Sequence, residues 1–222
     1  MFLGHYGVAF GLKRADPKLS LASLFLAAQF VDLLWGIFLI LGWERVRVDQ
    51  FAANPSLALI FEQYPISHSL LGGFCWAVIF GAVAYSLPTR DRSRHHAMAA
   101  LLLAVAVASH WFLDLIMHRP DLPLAGMEST MVGLGLWNSV AATIAVELAV
   151  LFAGVLLYLT APSRRIQPRP GRLAVLLGVM LAAYAASFLS TPPSNATVLG
   201  IGAIVLIVVL TALAGWADRV GA

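Results

Sequence analysis

His110, Asp114 and His118 recur at every fourth position in the stretch AVAVASHWFLDLIMH, residues 104 to 118. On a helix this spacing stacks the three side chains on one face, one turn above another. His-x3-Asp is also a spacing at which one helix offers an imidazole nitrogen and a carboxylate oxygen to a single metal ion. The flanking residues are apolar enough to cross a bilayer, where an Asp costs roughly 2.5 to 3.5 kcal/mol. A chain keeps such a group where it has a partner or a task, so polar pairing and ion binding are the two chemistries to weigh.

Further groups of the same kind lie nearby in depth. His68 opens an apolar segment in Tyr-Pro-Ile-Ser-His-Ser-Leu, Asp32 and Glu147 lie inside two more, and His5 stands in the opening Gly-His-Tyr-Gly. With His118 at the outer end of its span, Asp114 is about 6 Å and His110 about 12 Å inward. Glu147 falls about 12 Å and Asp32 about 15 Å below the same surface, with His5 near the level of Asp32 if the first residues enter as a helix. The shared depth predicts one polar site built by several helices, as bundles build metal centres. Mixed imidazole and carboxylate donors, with no thiolate, suit zinc first and manganese or iron(II) as alternatives. Such an ion lowers the pKa of bound water toward about 7, and Glu147 is the preferred proton acceptor.

Each residue also has a plainer reading. Asp32 and Glu147 could pair with Gln29, Ser109 or Asn138, and His118 could be solvated at the rim rather than bind substrate. Ser67 and Ser69 could orient His68 or simply open a helix. Arg119 could engage an anionic group or anchor to lipid headgroups.

The elements that must position these residues are transmembrane helices. Of 222 residues, 60% are hydrophobic and 11% charged, well under the roughly 25% charged of a soluble domain. The pattern predicts an all-α polytopic membrane helix bundle of about six spans: Leu19 to Gly42, Ile66 to Leu87, Ala97 to His118, Ser139 to Ala161, Leu173 to Leu189 and Ala196 to Ala217. Phe2 to Leu12 is apolar but too short to span, and reads as a re-entrant or interfacial helix. Six spans leave no room for a soluble domain. Residues 1–150 carry the site, and residues 151–222 add two spans without ionisable groups, a scaffold or oligomer face. In the fifth span Ala174, Gly178, Ala182 and Ala186 form a small-residue stripe suited to close packing or a homo-oligomer contact. With six spans, eleven Lys and Arg fall on one side and three (Arg45, Arg47, Arg119) on the other. The positive-inside rule then puts both termini in the cytoplasm. The net charge of +3 resides in short loops, which argues against nucleic-acid binding, and the single Cys75 excludes an intrachain disulfide.

Gly4-His5-Tyr6-Gly7, Asp32, Ser67-His68-Ser69 and Ser109-His110-Trp111-Phe112-Leu113-Asp114 together resemble the bacterial membrane-bound metal-dependent hydrolases of the YdjM-like family, over about residues 1–120. The resemblance implies a bacterial inner-membrane protein with His5, Asp32, His68, His110 and Asp114 as metal ligands. One departure is that Asp32 is followed by Leu33-Leu34-Trp35, where that family usually has a second acid.

The expected function is hydrolysis of an ester or phosphoester in a lipid or envelope substrate at the outer side of the membrane. Two other classes stay open. The same residues could form a proton or metal-ion pathway, since intramembrane Asp, Glu and His also mark such routes. They could also merely pair helices in a membrane scaffold. The absence of an internal repeat weighs against transport.

Overall fold

A computed structural model describes residues 1–52, 54–87, 94–161 and 169–218. In chain order these form α1 (Leu3–Lys13), α2 (Leu21–Ala28), α3 (Phe30–Leu41), β1 (Arg45–Val48), β2 (Leu59–Gln63), α4 (Pro65–His68), α5 (Leu70–Ser86), α6 (Arg94–Met117), β3 (Leu122–Pro123), β4 (Met131–Val132), α7 (Val140–Leu159), α8 (Pro170–Leu189) and α9 (Ala196–Asp218). The fold is an all-α bundle with two short antiparallel pairs, β1–β2 and β3–β4. Large apolar side chains such as Leu71, Val78, Val105, Leu156, Val205 and Val208 point outward, as expected of helices that face lipid rather than water.

The number of spans is smaller than six. Among the described residues, four unbroken helices, α6 to α9, are long and apolar enough to cross a membrane, and a fifth crossing arises if the bent pair α2 and α3 counts as one. That pair breaks at Gln29 with a 53° bend. The segment Ile66 to Leu87 is interrupted as well. Ser69 adopts an extended conformation and its hydroxyl accepts the Gly72 N–H, so α5 starts there and runs only 17 residues. Of the positive charges that set the expected orientation, Arg90, Arg92, Arg164, Arg165 and Arg219 lie outside the described residues.

Helix α1 is inserted into the bundle, not laid on its surface. Leu3, Tyr6, Ala9 and Phe10 are fully buried, with α1 packed against α2, α6 and α7. Two glycines allow the approach to α7: a Cβ on Gly7 would lie 2.5 Å from the Val150 carbonyl oxygen, and one on Gly154 would meet the Gly7 carbonyl. Gly36 and Gly200 make the equivalent contact between α3 and α9, with a Cβ at either lying 3.0 or 2.6 Å from the other's carbonyl oxygen. Such small-on-small crossings let intramembrane helices gain dispersion contacts where no hydrophobic force drives them together. The stripe Ala174, Gly178, Ala182 and Ala186 is exposed on α8, with open space beside Gly178.

The two ends of the bundle differ. At one, Lys13 bonds Asp218 at 2.8 Å and the Leu19 carbonyl at 2.6 Å, while Arg14 reaches Thr160, tying α1, α7 and α9. At the other, the β1–β2 hairpin and the segment from His118 to Asn138 fold over the candidate site, held by Asn54 donating to the Trp137 carbonyl and Gln50 to the Pro193 carbonyl.

Candidate metal centre

Four separate elements bring the predicted residues together. Helix α6 supplies His110 and Asp114, whose Nε2 and Oδ2 are 3.2 Å apart. Helix α3 supplies Asp32 in its first turn, where the helix dipole favours a carboxylate. His68 ends α4 and His5 comes from α1. His68 Nε2 lies 3.2 Å from Asp32 Oδ1 and 3.7 Å from Asp114 Oδ2, and His110 Nε2 lies 3.6 Å from Asp32 Oδ1. His5 Nε2 is 3.3 Å from Asp114 Oδ1, and its ring stacks on His110 with centroids 3.8 Å apart. Two groups of three, His5 with His110 and Asp114, and Asp32 with His68 and His110, hold their donor atoms within 4.8 Å of one another. The Met1 amino group sits on Asp114 Oδ1 at 2.5 Å, so this carboxylate already accepts a cationic neighbour.

The hydrogen bonds fix which ring nitrogens face inward. His110 Nδ1 is 2.9 Å from the Ala28 carbonyl, an acceptor only, so Nδ1 carries a proton and Nε2 is the nitrogen that faces the cluster. The bend at Gln29 makes this contact available: broken intramembrane helices persist where the freed backbone groups find such partners. On His68 the outer nitrogen, Nδ1, contacts the Ser67 hydroxyl at 2.7 Å, and Nε2 again points at the carboxylates. Among the described residues, His110 Nε2 and both nitrogens of His5 are buried without a well-aligned hydrogen bond, for all their closeness to Asp114. Ring nitrogens and carboxylate oxygens gathered this closely need protons or a metal cation among them. The donor set, three imidazoles and two carboxylates, fits a divalent ion that accepts nitrogen and oxygen.

Glu147 has a different task from the one its depth suggested. Its two oxygens accept the backbone N–H groups of Phe2 at 2.7 Å and Gly4 at 2.8 Å. The carboxylate therefore satisfies orphan donors at the start of α1 and anchors that helix to α7. Two of the neutral partners considered for the buried acids are engaged elsewhere: Gln29 donates to the Phe2 carbonyl and Ser109 to the Ala106 carbonyl.

His118 is buried rather than solvated, 2% exposed. Its Nδ1 lies 3.0 Å from Asp121 Oδ1, and its ring packs against Trp137, with centroids 4.2 Å apart, and against Phe61 at 4.8 Å. Burial holds it below the ordinary histidine range, against the opposing pull of the Asp121 hydrogen bond. Burial likewise pushes up the Tyr64 phenol, which donates to the Asp121 carbonyl at 2.7 Å. His118 is apart from the two ligand groups but lines the same cavity, of about 680 Å³, as Asp32, His68, Asp114 and Glu147. The cavity walls are mostly apolar, with Trp35, Leu59, Phe61, Phe188 and Leu199 among them. Arg119 does not line it, and Ser69 acts as the N-cap of α5.

Two participants were not expected from the sequence. Glu44 is 1% exposed and bonds Ser67, and Asp121 orients His118. Glu44 follows Trp43 and precedes Arg45, so it reads as an ordinary loop charge. Asp121 carried a signal in its spacing, three residues beyond His118. No family model, curated protein or solved structure matches the chain.

Proposed function

We propose that this protein is a membrane-embedded metal-dependent hydrolase, with His5, Asp32, His68, His110 and Asp114 holding a divalent ion, zinc in first place. The observation that carries this reading is the pair of inward-facing Nε2 atoms of His68 and His110, set by hydrogen bonds at the outer Nδ1 atoms and gathered with two carboxylates. When bound, the ion would polarise an ester or phosphoryl oxygen and lower the pKa of a water molecule. The chain's own groups supply the rest. Asp32, whose side chain is 26% exposed, is the carboxylate most open to the cavity. His118, neutral at pH 7 and oriented by Asp121, would exchange a proton at Nε2 with the attacking or leaving group. The apolar walls would exclude bulk water and suit the hydrocarbon portion of a lipid or envelope substrate.

Transport is supported less well. Beyond His5, α1 continues with Tyr6 and Phe10, packed on Phe25 and Tyr158 with each of the four at most 1% exposed. This closed apolar layer separates the cluster from the Lys13–Asp218 end. By the positive-inside rule we assign that end to the cytoplasm and the cavity to the outer side of a bacterial inner membrane. Labelling that places the 163–172 loop outside would reverse this orientation.

Metal analysis of the purified protein is the direct test. Wild type should carry close to stoichiometric zinc, manganese or iron, while His110→Ala and Asp114→Ala should lose most of it and lose hydrolysis across a panel of lipid esters and phosphoesters. Undiminished metal in both variants would sink the ligand assignment. Metal in wild type without any hydrolysis would favour transport instead.

A further inference from the structure

Glu44 is a charged side chain buried to 1% exposure, just beyond α3, and neither a metal ligand nor part of the cavity wall. Its Oε1 accepts the Ser67 N–H at 2.8 Å and its Oε2 accepts the Ser67 hydroxyl at 2.5 Å. The same hydroxyl oxygen lies 2.7 Å from His68 Nδ1. A serine hydroxyl has one proton, and a carboxylate can only accept. The proton therefore goes to Glu44, and the oxygen is left to accept from His68 Nδ1–H. With the Nδ1 proton held there, Nε2 is the nitrogen left for the cluster: it faces Asp32 at 3.2 Å and Asp114 at 3.7 Å, and a cation binding there displaces the proton it shares with Asp32.

The arrangement is not a hydrolytic triad. Ser67 is fully buried, and the acid bonds the serine rather than the histidine. It is the outer hydrogen-bond pattern that sets the tautomer and ring orientation of metal-binding histidines. We infer that Glu44, acting through Ser67, is a positioning residue that fixes His68 in the tautomer able to bind a cation at Nε2. The inference rests on the metal reading for its purpose, but the tautomer is observable without any metal.

Glu44→Gln is nearly isosteric and reverses the chain. The amide oxygen is drawn to the Ser67 N–H, so the amide NH2 faces the Ser67 hydroxyl, which then donates to His68 Nδ1 and moves the ring proton to Nε2. Ser67→Ala keeps the backbone bond that anchors α4 on Glu44 but removes the relay. If Glu44 only anchors α4, Ser67→Ala leaves cobalt affinity and the His68 tautomer unchanged.

The test uses full-length protein in detergent, with Co²⁺ affinity measured by chelator competition and the His68 tautomer read from 15N shifts of selectively labelled histidine. Both variants should bind Co²⁺ about 10- to 100-fold more weakly than wild type. Wild-type His68 should carry a proton at Nδ1, and Glu44→Gln should leave it protonated at Nε2 alone. Affinities within about twofold of wild type, with His68 still Nδ1-protonated, would overturn the inference. Should Glu44→Gln fail to fold, Ser67→Ala decides. A wild type that binds no Co²⁺ counts against the metal reading alone, and the relay is then judged by the ring proton at Nδ1: wild-type His68 protonated at Nε2 alone overturns it.

Discussion

Glu147 and Asp114 are both buried acids within transmembrane helices, and their partners separate their roles. Asp114 faces imidazoles and an amino group, all able to share or yield to a cation. Glu147 faces two backbone N–H groups that have no other acceptor in α1. Replacing Glu147 by Gln leaves an acceptor for one amide and turns an NH2 group toward the other, stranding a buried donor. That costs about 1 to 3 kcal/mol, so Glu147→Gln should melt at lower temperature and its Phe2 and Gly4 amides should exchange faster with solvent. A general base would behave otherwise: the variant would keep its stability and lose turnover. Thermal denaturation alongside hydrogen exchange separates the two, and unchanged melting would return Glu147 to the base role.

The elements hold the site through contacts that span the sequence, and α1 shows this best. It is only 11 residues long, too short to be a stable isolated helix, and it stays in place because Gly7 and Gly154 let it press backbone to backbone on α7. Gly154→Ala would drive a methyl into the Gly7 carbonyl and push α1, with His5, away from the cluster. The expected cost is about 1 to 3 kcal/mol, with weaker metal binding. Gly202→Ala on α9, where a Cβ meets nothing within 4 Å, should change stability by no more than about 0.5 kcal/mol. Equal melting temperatures for the two variants would contradict the close packing of α1. This dependence on distant contacts also explains which features could be read from sequence. The spacing of His110 and Asp114 is local, so it announced both the helix and the paired donors, and the lengths of α6 to α9 followed from composition. The break at Gln29 was hidden because Leu19 to Gly42 has no proline and no glycine before Gly36 to mark it; the bend is supported by a bond from His110, 82 residues away. Glu44 escaped notice for the same reason, its partner lying 23 residues further on. Depth along a helix predicted that Glu147 would approach the site, but depth does not reveal a partner.

Across the whole molecule, the cluster and the Lys13–Asp218 pair sit at opposite ends of α1, one joining α1, α3, α4 and α6 and the other closing the bundle. A ligand held by four elements binds the folded state and not the unfolded chain, so it stabilises by mass action. Zinc at a hundredfold excess over its dissociation constant should add about 2.7 kcal/mol, which for a chain of this size raises Tm by roughly 5 to 11 °C. Chelation should remove that increment, and Asp32→Asn or His68→Ala should abolish it. Lys13→Met, at the far end, loses a buried ion pair and lowers Tm outright. Distant sites without shared partners act independently, so its zinc-dependent increment should match wild type. If Lys13→Met erased the zinc effect, the two ends would be energetically coupled, and a path between them, as transport requires, would gain the support that the closed layer around Phe10 and Tyr158 now denies it.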